Sequence, residues 1–415
     1  MRMPIASTAA RLLPIVLGQG FGLACGVAGV RLTTQLVPPG VLGRYSIFLT
    51  FTSVGTWLVY AGVMKYTARH WAASPDRPST ARAVLRAALR KTPWLVLVCL
   101  GGAVASGGAD WLPIFPALLA AAGLLSFAGL AQTALQAARE YWRDAAVIGT
   151  AAVTRSFVPP LVYAATSGSV LALYGGYGMH ALLFAAAGWW ALRRHLRSPA
   201  TPPTSTAPLP AVYEGPLFIV LAAAGWVLLG LNRWIMALWF GVVETGYFSL
   251  AANLAALVPS VLGTIFLLYL QPDLFAAETA TLADRRALLQ RVDHAALLHA
   301  VAAMAGLAGL HLVAPLLVGP LIREPYRPAL VFLLPAGAFA LAITTGLFYH
   351  TLLLAGKREA ACGPVELTAA GVLIAGSLGA AAIGQPWFLR WMLVSPLVPW
   401  LVIRPLVRRY FLPAR

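Results

Sequence analysis

Long apolar stretches recur along almost the whole chain, and they constrain its fold more than any motif does. Crossing the roughly 30 Å hydrocarbon core of a bilayer takes about 20 mostly apolar residues in helical form. Stretches of that kind occupy residues 12–35, 45–64, 93–109, 111–137, 144–166, 169–191, 215–240, 247–271, 294–319, 329–355, 360–383 and 386–405, the third being the shortest. Only helices and closed barrels satisfy their backbone polar groups in lipid, and these runs are far longer than the roughly 10 residues of a barrel strand. With 60% hydrophobic and only 10% charged residues, against about 25% charged in an ordinary soluble domain, little remains to build a water-facing surface. The expected fold is all-α: a polytopic membrane protein of about twelve transmembrane helices.

The formal charge of +17 would suggest nucleic acid as the partner of a soluble protein, so the placement of the basic residues decides its meaning. Cytoplasmic flanks of membrane helices collect Lys and Arg. On the twelve-span reading every Lys and Arg falls on one side, except Arg44, Arg323, Arg327 and Arg390 on the other and Arg31, Arg155 and Arg233 within spans. An error of one span would scramble that segregation. The charge is therefore an orientation signal, both termini are expected in the cytoplasm, and no nucleic-acid partner is expected. The first stretch runs on to Gln35 without a convincing cleavage site and is read as a span rather than a signal peptide. Cys25, Cys99 and Cys362 are too widely separated to form a metal set or a disulfide framework and are read as packing residues.

Two cytoplasmic segments stand out. Residues 65–92 carry Lys65, Arg69, Arg77, Arg82, Arg86, Arg90 and Lys91, and Ala81 to Leu89 is helix-prone with basic residues four apart. That pattern suits an anionic membrane surface, or simply a solvated orientation loop. Residues 196–213, rich in Pro, Thr and Ser, form a linker between an N-terminal six-helix lobe, 1–195, and a C-terminal six-helix lobe, 214–415. An internal repeat supports the division: Arg31 precedes Gly43-Arg44-Tyr45-Ser46 and Arg233 precedes Gly246-Tyr247-Phe248-Ser249, with 14 residues from arginine to tyrosine in both. A second match joins Thr133–Glu140 to Thr351–Glu359, each after the fourth span of its half. Six spans per half give equivalent helices the same orientation, so the repeat is parallel, about an axis along the membrane normal.

A lone arginine near a helix centre costs about 2.5–3.5 kcal/mol on the insertion scale, so one retained there is expected to face a cavity or a partner. Arg155, just before Pro159-Pro160, is the deepest such cation and the first candidate for substrate binding. Arg31 and Arg233 lie nearer the interface, where snorkelling is cheap, and read equally as binding residues or as structural anchors. Glu366, beside Pro364, is the clearest intramembrane acid; it is a candidate for ion coupling, for pairing with an arginine, or for satisfying a helix kink. Gly18, Gly22 and Gly26 form a small-residue stripe suited to close helix contact. Gln132, Gln136, Asn232 and Asn253 either line a path or bond between helices. No catalytic nucleophile with a partnered base, no metal-ligand spacing among the histidines and no Walker motif is recognisable, so no cofactor and no enzymatic activity is expected.

The run from Arg31 through Val37-Pro38-Pro39-Gly40-Val41-Leu42-Gly43-Arg44-Tyr45-Ser46 resembles the start of the O-antigen type of polysaccharide-biosynthesis flippase. Leu231-Asn232-Arg233-Trp234, with Gly246-Tyr247-Phe248-Ser249, resembles that family's seventh-helix Asp-Arg and following Gly-x-Tyr-Ser, with Asn232 in place of the acid. Leu352 to Arg358 resembles the end of its tenth helix. The resemblance implies a two-lobed transporter of the multidrug/oligosaccharidyl-lipid/polysaccharide exporter superfamily in the bacterial cytoplasmic membrane. It would flip undecaprenyl-diphosphate-linked oligosaccharide by alternating access for surface polysaccharide assembly. The partners implied are the lipid-linked oligosaccharide, membrane lipids and other polysaccharide-assembly membrane proteins. An ion-coupled multidrug-type exporter of the same superfamily would place acids in its cavity, a lipid II flippase would need two further helices, and a membrane-bound glycan-modifying transferase would need acceptor chemistry.

Overall fold

The computed structural model describes residues 5–71, 76–107, 111–166, 168–196, 216–276, 282–356 and 358–412. Almost all of them are helical, and no strand occurs among them. The helices, in chain order, are α1 Ile5–Leu36, α2 Pro39–Thr52, α3 Ala61–His70, α4 Arg77–Gly107, α5 Trp111–Ala137, α6 Tyr141–Ala165, α7 Val170–Leu196, α8 Pro216–Ile235, α9 Val242–Ala255, α10 Leu257–Ala276, α11 Leu282–Leu317, α12 Leu330–Ala355, α13 Glu359–Ile383, α14 Gln385–Val394 and α15 Arg404–Phe411. The expected linker, 196–213, lies outside the described residues except at Leu196.

Nine helices among the described residues are long and apolar enough to cross a membrane, or up to 11 if each of two bent pairs counts as one span. The protein is thus a multi-pass membrane protein. The bent pairs are α2 with α3, through a π-turn at Gly55–Val59 and an angle of 58°, and α14 with α15, with an angle of 45° near Pro399. The difference from twelve lies in the third expected span. It sits in the second half of α4, where the apolar run is too short for that test because α4 opens with a strongly basic segment.

The chain forms two compact units, residues 1–38 with 44–226 and residues 39–43 with 227–415. In unit 1, α6 and α7, α5 and α7, and α1 and α6 pack most extensively. The predicted glycine stripe takes part: Gly18 and Gly22 face Ala145 and Ala152 of α6. The tightest approach is one step further on, where a Cβ at Gly29 would lie 2.7 Å from the Ser156 Cβ. The bend after α2 frees backbone groups that lipid cannot satisfy, and the Trp226 indole donates to the Thr50 carbonyl there at 2.7 Å.

Unit 2 is built round α12, which is apolar on every side. A helix of that kind belongs inside a bundle, and Phe332, Leu333, Phe339, Leu341, Phe348 and Leu352 are all buried along it. Gly241, in the left-handed region at φ 97°, starts α9 after the π-turn that ends α8. Within this unit residues 39–43 pack closely on the start of α9. A Cβ on Gly43 would strike the Val242 carbonyl, and one on Gly246 the Pro39 carbonyl, so both positions need glycine for backbone to approach backbone. The second repeat match also falls at equivalent places, across the turns from α5 to α6 and from α12 to α13.

Candidate functional site

The packing of α1 against α6 decides where Arg155 points. Ser156 faces α1 at the Gly29 seam. Successive residues turn by about 100° on a helix, so Arg155 is rotated away from that seam. It lines an open cavity of about 350 Å3 between α1, α5, α6 and α7, together with Gln19, Gln132, Tyr177 and His180. The Arg155 side chain is exposed to this space, and among the described residues it makes no hydrogen bond or ion pair. It lies close enough to His180 and to Tyr45 to act on both electrostatically.

The cavity wall is held by a hydrogen bond and by aromatic packing. His180 is buried, with its Nδ1 2.8 Å from the Thr154 hydroxyl. Tyr177 belongs to a buried aromatic cluster with Tyr45, Phe48 and Tyr174, in which the Phe48 and Tyr174 rings stack with centroids 4.2 Å apart. These rings fix α2 on α7 behind the cavity.

No carboxylate lines this space among the described residues. The described acids of unit 1 are each engaged elsewhere. Asp76 caps the start of α4 by accepting from the Ser79 amide at 3.0 Å. Glu140 lies 2.8 Å from both Arg143 and His195, whose Nδ1 is in turn 2.7 Å from Arg77. Asp144 is buried and accepts from the Gln136 amide at 3.1 Å.

On the other side of the α1–α6 seam runs an open groove of about 620 Å3, lined by Leu17, Phe21, Trp142, Gly149, Val153 and Thr154 among others. It is predominantly apolar. Thr154 is common to both features, since it lines the groove while its hydroxyl holds His180 in the cavity wall.

Arg31, Arg233 and Glu366, also singled out from sequence, are not among the residues that line this cavity. Arg31 bonds along its own helix to Gln35, at 2.9 and 3.0 Å when the amide is turned to accept. Arg233 lies in unit 2, where it donates to the Asn253 side-chain oxygen at 2.9 Å and to the Leu229 carbonyl at 3.2 Å. Glu366, also in unit 2, pairs with His350, a residue that its sequence neighbourhood does not single out. Gln19, Tyr177 and His180 were not legible as site residues, because nothing local marks the face of a helix that lines a cavity. Asp144 was read as the edge of a span. The amides at Gln132 and Gln136, four apart and so on one face of α5, were the available signal for it.

No protein-family model and no curated protein matches the sequence. Three solved structures share the fold over nearly the full length. One is described as the outward-facing conformation of a multidrug resistance MATE family transporter of the MOP superfamily; it is 11% identical, with a TM-score of 0.59 over 97% of this chain and 95% of that one. An inward-facing structure with the same description is 13% identical, with a TM-score of 0.53 over 96% and 97%. A mutant MATE protein is 13% identical, with a TM-score of 0.56 over 97% and 95%. The architecture is therefore the two-lobed, all-helical fold of these transporters.

Proposed function

We propose that the protein is a flippase for an amphiphile with an anionic head of the phosphate class, and specifically for an undecaprenyl-diphosphate-linked oligosaccharide in the bacterial cytoplasmic membrane. One observation carries this reading: Arg155 projects into a cavity that no carboxylate lines among the described residues. A guanidinium facing that space without an acid is poised for charge-assisted hydrogen bonds to phosphate oxygens. The volume of about 350 Å3 suits a phosphate-sized group. The apolar groove across the Thr154–His180 wall offers a place for part of the lipid chain.

The solved structures of this fold are described as multidrug transporters. For a cationic drug the same cavity is the wrong sign, which is why the anionic substrate is preferred. No step of catalysis is assigned to the chain. The Glu366–His350 pair in unit 2 is the proposed seat of ion coupling, and Arg31 in unit 1 and Arg233 in unit 2 are each proposed as substrate-binding residues of their own unit.

The test is a leaflet-translocation assay in proteoliposomes, with a fluorescent oligosaccharide carried on a lipid diphosphate or on a neutral lipid. The wild-type protein is expected to move only the diphosphate form, and Arg155→Gln to lose that selectivity while remaining folded. Translocation of a cationic amphiphile in place of the diphosphate would overturn the proposal in favour of a multidrug exporter.

A further inference from the structure

The first half of α4 has two faces, and the outward one combines charge with apolar surface in an unusual way. Val84 and Ala87 are buried against Val63, with Tyr66 and Leu130 packed around them. Leu95 and Cys99 continue that buried face into the apolar half of the helix. The opposite face carries Arg82, Arg86 and Arg90, all exposed. At four-residue spacing their guanidinium groups rise along the helix in steps of about 6 Å. Between them stand Leu85 and Leu89, 53% and 61% exposed, and one turn beyond Arg90 comes Trp94, 65% exposed.

Neither of the simple environments suits this face. In water, arginines are well placed but two leucines and a tryptophan are not, and a solvated orientation segment has no reason to set leucines among its charges. In hydrocarbon the reverse holds. No acid compensates the arginines: Arg82 and Arg86 only reach back weakly to the carbonyls of Pro78 and Arg82, at 3.4 and 3.3 Å, and among the described residues none of the three arginines is in an ion pair. The zone where phosphate groups, glycerol and the first methylenes mix satisfies all of these side chains together. Trp94 then sits where indoles collect at the membrane interface.

We infer that the Arg82–Arg86–Arg90 face of α4 is a binding site for anionic phospholipid of the surrounding bilayer, with the guanidinium groups on headgroup phosphates and Leu85 and Leu89 against the upper acyl chains. Charge complementarity selects an anionic lipid over a zwitterionic one, because this face presents three arginines and, among the described residues, no acid pairs with them. The site is independent of what unit 1 carries in its cavity.

The experiment reconstitutes the full chain into vesicles of phosphatidylcholine alone and of phosphatidylcholine with an equal amount of phosphatidylglycerol, and measures the lipids retained on gentle detergent extraction by native mass spectrometry. Wild-type protein is expected to prefer phosphatidylglycerol by about tenfold or more, given the attraction of each basic side chain near an anionic surface, and to lose most of that preference at high salt. The triple variant R82Q/R86Q/R90Q should show a preference near unity. Because those charges also contribute to orientation, a second variant, L85S/L89S, keeps them and removes only the apolar contacts; it should retain the lipid several-fold less well. Equal retention of both lipids by the wild type, or an unchanged preference in both variants, would overturn the assignment.

Discussion

The two units handle the charges on their helices in opposite ways. Unit 2 satisfies them with local partners. Asp293 on α11 is gripped by Arg404 of α15 through three contacts of 2.9 to 3.0 Å and also accepts from the Tyr349 hydroxyl of α12 at 2.9 Å. In the same unit Glu366 meets His350, and Arg233 meets Asn253. Unit 1 pairs its acids with amides or with cations at one corner and leaves Arg155 facing an open cavity. A pair that closes three helices together is a structural tie, whereas a charge left without an acid has meaning only if something else supplies the anion. The difference teaches where to look for a ligand: the unit with the incomplete electrostatics.

The largest effect expected of that contrast is on binding. Arg155→Gln should weaken binding of a lipid diphosphate by about 10–100-fold, since hydrogen bonds to charged groups contribute about 1.5–3 kcal/mol. Its unfolding midpoint in detergent should stay where it was, because no protein partner is lost. A fall in the midpoint with unchanged binding would make Arg155 a structural residue and break the comparison.

Giving unit 1 the pairing that unit 2 already has should sharpen it. Ala151 precedes Arg155 by four residues on α6, the favourable order for a Glu–Arg pair on a helix. Ala151→Glu is expected to reduce diphosphate binding by about tenfold, by supplying the missing carboxylate in place of the substrate. Isothermal titration of both proteins with the same lipid checks it.

The reverse pattern is expected in unit 2. Asp293→Asn should lower stability by about 1–2 kcal/mol, a figure that allows for the partial exposure of Arg404, and leave diphosphate binding within a factor of about two. Smaller still is Tyr349→Phe, which removes one hydroxyl from the same cluster and should cost about 0.5–1.5 kcal/mol. Denaturation midpoints of the two single variants and the double variant measure their coupling. Strict additivity would show that the hydroxyl and the guanidinium do not act through one carboxylate.

How far the sequence goes is clear from particular elements. The apolar runs at 111–137 and 169–191 coincide with α5 and α7 to within a few residues, because helix formation in lipid depends on composition within a single stretch. The third run, 93–109, lies in α4 as far as Gly107, the last described residue before α5, but says nothing of the continuous helix that begins at Arg77. The break after α2 was invisible, since a bend needs a tertiary partner such as Trp226 to satisfy the carbonyls it frees. Arg155 stood out as a membrane cation from hydropathy alone. Its companions Gln19, Tyr177 and His180 come from two other helices, and no local pattern joins them.

By itself the sequence determined that the chain is helical, lives in a bilayer and carries an arginine deep within its first half, because each of these follows from the transfer energy of short segments between water and lipid. Only the tertiary structure decided that Arg155 opens into a cavity while Arg233 is bonded to Asn253, that Glu366 meets His350, and that Arg82, Arg86 and Arg90 share an outward face with Leu85 and Leu89. Those outcomes depend on how each helix is rotated about its axis against its neighbours. That rotation is set by close contacts between residues far apart in the chain, such as Gly29 against Ser156.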